Sequence, residues 1–231
     1  MKKTEFQKNI GYSFHDSSIL EQALTHSSYT KEHKLPRVQC NERLEFLGDA
    51  FFDAIVGEEL FRRCPEVEEG RLTKVRAVVV CEGSLAEMGN KLHIGDILNL
   101  GHGEECSKGR TRKSIVADAM EAIIGAVFLD GGFEAAKMMV LQLFDQRITD
   151  ALAGKLHSDY KTELQEIVQK SSNASIAYVV TKETGPDHNK TFYVDVEIGG
   201  TVAGSGVGCS KKEAQQHAAE QAVKRREKIV L

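Results

Sequence analysis

The sequence predicts two units: an all-α first part and, after it, a smaller α+β unit of order α-β-β-β-α. Three observations carry this. Apolar residues recur at helical spacing through roughly the first 150 positions, with no period-two alternation longer than a few residues. At LAGKLHSD the texture becomes short, polar and glycine-containing, which places a connection at residues 154–158. Beyond it, three alternating stretches stand between two helical ones. The expected division is therefore residues 1–153, a linker at 154–158, and a second domain over 159–228.

In the first unit the spacing predicts a helix over Glu42 to Val56. On a helical wheel Leu44, Leu47, Phe51 and Ile55 share one side, while Glu42, Glu45, Asp49 and Asp53 share the other. A second helix, SIVADAMEAIIGAVFLD, repeats the arrangement, with Val116, Met120, Ile123 and Val127 facing one way and Asp118 and Glu121 the other. Ala122 and Gly125 follow these acids, and residues so small admit a neighbouring helix at short range.

In the second unit TELQEIVQK reads as a helix, and IAYVV, TFYVDVEIGG and TVAGSGVG as strands. Phe192, Val194, Val196 and Ile198 fall on one face of the middle strand, opposite Tyr193, Asp195 and Glu197. SKKEAQQHAAEQAVKRR closes the unit as a helix opened by Ser210, with an alanine stripe at Ala214, Ala218 and Ala222.

Composition bounds the function classes. The 231 residues are 41% hydrophobic, enough to bury ordinary cores. No apolar run approaches the roughly 20 residues that span a bilayer, and MKKTEFQKNIG lacks a signal-peptide apolar core. The chain reads as soluble and cytoplasmic, with no membrane partner. Five cysteines, scattered and without zinc-ligand spacing, are expected as buried free thiols. GHGEECSKGR and GSGVGCS match neither a phosphate loop nor a dinucleotide fingerprint, so no nucleotide cofactor is expected. The net charge is −4 and neither part is basic overall. A polyanion would have to be held by locally concentrated lysines and arginines.

The two acidic faces leave two readings open: solvated sides of amphipathic helices, or one converging site. Exposed helices usually mix charge signs at i, i+4, and here no lysine or arginine interrupts the acids on that face. Converging carboxylates repel unless a cation sits among them, and oxygen-only ligands select magnesium or manganese. Carboxylate-bound magnesium typically serves phosphoryl transfer.

NERLEFLGDA at Asn41–Ala50 resembles the signature of bacterial ribonuclease III. ALTHSSY, the Glu68–Gly70 turn followed by RLTKVRA, and SIVADAMEAIIGAVFLDGG match further parts of that family in order, and the tail resembles its double-stranded RNA-binding domain. The resemblance implies a homodimeric, magnesium-dependent endonuclease that hydrolyses double-stranded RNA to 5′-phosphate and 3′-hydroxyl ends, processing ribosomal precursors and structured messengers. Manganese is expected to substitute for magnesium. The resemblance places metal ligands at Glu45, Asp49, Asp118 and Glu121, of which Asp49 and Glu121 also stand with Glu42 and Glu69 as catalytic acids. It makes Phe46 the knob at the dimer interface. His26 has no acid spaced to activate it and reads as a structural hydrogen-bonding residue.

A duplex-RNA tail grips shape, touching 2′-hydroxyls in minor grooves and phosphates between them. Thr162, Gln165 and Glu166 on the first helix, His188 in GPDHNK, and Lys211 and Lys212 at the last helix N-terminus are the implied contacts. Position 215 departs from the common pattern, carrying glutamine where many such domains have a third lysine. That predicts weaker electrostatics. GRTRK at Gly109–Lys113 could guide a phosphate strand, and the terminal KRREK reads as a solubilising cap. The alternative is a non-cleaving duplex-RNA binder that regulates its targets.

Overall fold

The computed structural model describes residues 2–156, 160–171, 174–186 and 190–227. Its backbone divides into two compact units, Met1–Leu156 and His157–Leu231.

The first unit contains α1 (Lys3–Asn9), α2 (Ser17–Ala23), α3 (Ser27–Glu32), α4 (Glu42–Arg63), α5 (Glu69–Val80), α6 (Glu82–Lys91), α7 (His102–Cys106) and α8 (Lys113–Leu152), with short 3₁₀ turns between α3 and α4, α6 and α7, and α7 and α8. α8 is its axis. In its first half Ile115–Ala117, Ala119, Met120 and Ala122–Val127 are buried on all sides, the pattern of a helix enclosed by others. Only Asp118 and Glu121 interrupt that apolar sleeve. The helix breaks at Gly132, whose backbone (φ 80°, ψ −178°) is open to glycine and costly for other residues. Just before the break, Asp130 accepts from the Tyr12 hydroxyl (2.7 Å) and from the backbone N–H groups of His15 (2.8 Å) and Asp16 (2.9 Å). These bonds pin the N-terminal segment to α8.

α4 lies against α8 with Leu44, Gly48, Phe52, Ile55, Val56 and Leu60 inward. This arc is turned from the predicted Leu44-Leu47-Phe51-Ile55 stripe toward the acidic side. The cause is Gly48, which carries no hydrophobic weight on a wheel and yet marks the closest approach. Phe51, at the arc's edge, stacks on Phe128 of α8 at 3.5 Å between centroids, and Phe52 packs on Phe144. Phe52 and Phe144 are fully buried, and each contributes about 2–3 kcal/mol of transfer free energy.

The second unit has α9 (Tyr160–Ser171), β1 (Ile176–Thr184), β2 (Thr191–Ile198), β3 (Thr201–Gly208) and α10 (Lys211–Glu227). The strands form one antiparallel sheet of order β1-β2-β3. β1 runs on past the predicted IAYVV to Thr184, through an irregularity between Val180 and Lys182. Val194 and Val196 bury the predicted face of β2 against Leu164 and Val168 of α9 and the alanine stripe of α10. Ser210 Oγ accepts from Glu213 N (3.2 Å) while Glu213 accepts from Cys209 N (2.7 Å), a reciprocal cap that starts α10.

Side chains of α10 also cover the free edge of β3. His217 Nδ1 meets Val207 O (2.6 Å), Gln221 Oε1 accepts from Ser205 N (2.8 Å), and Arg225 donates to Ala203 O (3.2 Å). At i, i+4 and i+8 they occupy backbone groups that would otherwise template another strand.

The cysteines are free, as expected, but only Cys40 is buried; Cys81, Cys106 and Cys209 are exposed. Their polar, loop-proximal neighbourhoods outweigh the general tendency of free cysteine to be interior. Among the described residues, no helix is long and apolar enough to cross a membrane.

Candidate functional site

The acidic site forms where α4 and α8 cross. A Cβ at Gly48 would lie 1.8 Å from Glu121 O, and one at Gly125 would lie 2.3 Å from Leu44 O. Two glycines therefore let the backbones touch, and they set Glu45, adjacent to Leu44, beside Glu121. Asp118 stands one helical turn before Glu121. One carboxylate oxygen from each of Glu45, Asp118 and Glu121 lies within 4.8 Å of the others, and all three residues are half-buried.

At that separation each ionised pair repels by about 3.5 kcal/mol at an effective dielectric of about 20. Burial and repulsion from neighbouring acids together raise the pKa of each of the three carboxyls. Burial, then Asp49, Glu45 and Asp118, push Glu121 up to about 8, while burial, then Asp118, Glu42 and Asp49, push Glu45 up to about 7. Asp118 is raised by burial against the relief of nearby His26. A hard divalent cation fits this donor set, because it neutralises charge that the protein otherwise offsets with protons.

The other predicted acids have different surroundings. Asp49 is exposed and outside the three-oxygen cluster, though close enough to raise both Glu45 and Glu121. Glu42 is held by a two-pronged bond from Arg37 (3.0 and 3.1 Å), which keeps its carboxyl below the ordinary range. Glu69 is exposed at the start of α5 and accepts from Thr73 Oγ1 (2.7 Å). His26 accepts from Ser28 N (3.2 Å) as the N-cap of α3. Phe46 is 81% exposed and takes no part in the core. Beside it a cavity is lined by Gln22, Glu42, Arg43, Leu44, Leu47 and Leu129.

GRTRK is occupied in building its own loop. Arg110 bonds Glu105, Gly95 O (2.7 Å) and Leu98 O (3.0 Å), and Arg112 pairs with Glu104 (2.7 Å). Gly48 and Arg37 escaped sequence reasoning. A glycine inside a helix costs about 1 kcal/mol relative to alanine, and that cost was the available signal for Gly48.

In the second unit Thr162, Gln165, Glu166 and Lys212 line one concave surface together with Lys161, Gln169, Tyr178 and Gln216. Lys211 is not part of that lining: its ammonium lies 3.1 Å from Glu183 and over the Phe192 ring. His188 lies outside the described residues.

Comparison with known proteins agrees with both units. Residues 16–148 match the ribonuclease-III-like family model, and residues 160–225 match the double-stranded RNA binding motif. The chain is 49% identical to Ribonuclease 3 of Caldanaerobacter subterraneus subsp. tengcongensis, over 95% of this chain and 96% of the relative. It is 46% identical to Ribonuclease 3 of Enterococcus faecalis, over 96% of each. Among solved structures, the nuclease domain of ribonuclease III from Campylobacter jejuni superposes with TM-score 0.59 at 41% identity, covering 63% of this chain and 97% of that one. The crossing of two acid-bearing helices, the α-β-β-β-α tail and these matches lead to one conclusion: the chain belongs to the ribonuclease III family.

Proposed function

We propose that this protein is a magnesium-dependent endonuclease in which Glu45, Asp118 and Glu121 hold the cation, with Asp49 at the rim. The observation that carries the reading is the cluster of three half-buried carboxylates within 4.8 Å on crossing helices, in a chain that also bears a double-stranded RNA binding motif. When bound, the cation supplies charge neutralisation and Lewis acidity at a scissile phosphate. The chain's own residues supply position. The Gly48–Gly125 crossing sets the helices in register, Arg37 fixes Glu42 beside the centre, and Glu69 adds a further acid from α5. Manganese suits the same oxygen donors. Products carry 5′-phosphate and 3′-hydroxyl ends, and structured ribosomal and messenger RNAs in the cytoplasm are the substrates proposed.

Residues 1–153 form the nuclease domain, 154–158 the linker and 159–228 the RNA-binding domain. Thr162, Gln165, Glu166, His188, Lys211 and Lys212 contact the duplex in this reading. Phe46 serves a homodimer: an 81% exposed phenylalanine next to a partly apolar cavity suits a self-complementary contact. The region of the Campylobacter jejuni domain involved in dimer formation is a precedent in a relative. A non-cleaving binder is disfavoured, because clustered carboxylates without a cation repel RNA.

The test is Glu121→Gln, incubated with a long RNA duplex and magnesium while both cleavage and retention are measured. Cutting falls by several orders of magnitude with binding retained. Cutting at the wild-type rate would refute the assignment.

A further inference from the structure

We propose that Lys161 of α9 supplies the phosphate contact that Gln215 cannot, so that the cations of the duplex grip are Lys161 and Lys212, with Lys211 a minor contributor. This rests on the RNA-binding reading of the tail given above. Lys161 Nζ donates to Gln215 Oε1 at 2.7 Å and sits 4.7 Å above the centre of the Tyr178 ring, and its backbone N–H donates to Gln216 Oε1 at 3.3 Å. α9 thus places an ammonium group directly on the side chain at position 215. An amide oxygen and an aromatic face orient the group and leave its charge intact, so a phosphate meets a preorganised cation.

Lys211 is placed differently. Its ammonium is 3.1 Å from the Glu183 carboxylate, and a phosphate must compete with that acid for the same charge. Lys161 also shares its surface with Thr162, Gln165, Glu166 and Lys212, the residues proposed for the duplex, whereas Lys211 does not. Position therefore favours Lys161 as well as charge. Gln215 becomes the residue that aims the lysine.

The experiment measures duplex affinity of the full chain across a series of potassium chloride concentrations, in chelator so that no cleavage intervenes. Thermal unfolding of each variant verifies that the tail is folded. Each phosphate contact contributes about 0.9 to the slope of log affinity against log salt, by analogy with duplex DNA. Lys161→Gln lowers the slope by about that amount, Lys211→Gln lowers it by much less, and Lys161→Arg preserves it. Adding Gln215→Lys to Lys161→Gln restores the slope, since the replacement ammonium returns to the same place. A slope unchanged in a folded Lys161→Gln protein overturns the proposal, as does an equal loss in Lys161→Arg. Wild type that shows no salt-dependent duplex binding would instead refute the RNA-binding reading, and this proposal with it.

Discussion

The two units use the same packing device for opposite electrostatic ends. In the first, Gly48 and Gly125 let α4 and α8 touch backbone to backbone. In the second, Gly204 and Gly206 on β3 lie against the backbone of α10 around Ala218; a Cβ at Gly206 would sit 2.2 Å from Ala214 O and Ala218 N. The nuclease unit spends its close contact on forcing like charges together at half-buried positions. The tail leaves cations on its rim. Close approach by itself is neutral, and the residues flanking the glycines decide whether it creates a repelling site or a quiet core.

The largest expected effects come from filling these contacts. Gly48→Ala places a methyl group on a helix backbone that cannot yield cheaply, and is expected to cost about 3 kcal/mol or more and to abolish metal-dependent cleavage. Gly206→Ala should cost a similar amount in the tail while leaving cleavage at low salt largely intact. Calorimetric unfolding beside a cleavage assay separates them. If Gly48→Ala kept both stability and cutting, the crossing would not position the acids.

Two acids on α8 are shifted in opposite directions. Asp130 is held at about 2, since hydrogen bonds from Tyr12, Asp16 and His15 outweigh its burial, whereas Glu121 is pushed up to about 8. Asp130→Asn is expected to destabilise by about 2 kcal/mol, and Glu121→Gln to stabilise the metal-free protein above pH 8. The pH dependence follows the same signs. Between the ordinary glutamate value of 4.5 and about 8 the folded chain holds protons that the unfolded chain has released, so metal-free stability falls as pH rises through that window. The stability from Asp130 is present above its ordinary value of 3.8 and is lost as pH falls toward about 2. Melting temperatures over a pH series in chelator check both limbs; a flat profile from 4.5 to 8 would mean that neither burial nor the neighbouring acids raise Glu45 and Glu121.

Much of this was legible in the sequence, and the exceptions share a cause. Element order and the alanine stripe of α10 follow from periodicity. The acidic face of α4 was marked by its lack of interleaved lysines and repeated by Asp118 and Glu121 on α8, and the meeting of the two was suggested by Ala122 and Gly125; the choice of Glu45, Asp49, Asp118 and Glu121 among these acids came with the family resemblance, and Asp49 stands outside the cluster of the other three. What periodicity could not supply was contact across elements: the role of Gly48, the Arg37 clamp on Glu42, the capture of Arg110 and Arg112 by their own loop, and the capture of Lys211 by Glu183. The free state of the cysteines and the burial of Cys40 were legible, while the exposure of Cys81, Cys106 and Cys209 was not, because a residue type's average burial says little about a particular loop.

A smaller effect is expected at the edge of β3. Replacing His217, Gln221 and Arg225 together by alanine exposes Val207 O, Ser205 N and Ala203 O. The loss is about 1–2 kcal/mol, with concentration-dependent association through the freed edge, readable by light scattering. A triple variant that stays as stable and as dispersed as the parent would show the edge needs no cover.

A divalent cation should relieve the repulsion of the carboxylates that the Gly48–Gly125 crossing brings together. The most direct test is thermal unfolding at pH 8.5 with increasing magnesium, for wild type and Glu121→Gln. Wild type should gain about 2.7 kcal/mol once magnesium reaches a hundred times its dissociation constant, while Glu121→Gln gains little at the same concentrations. Equal stabilisation of both proteins, or none in wild type, would mean that no cation is held by these carboxylates.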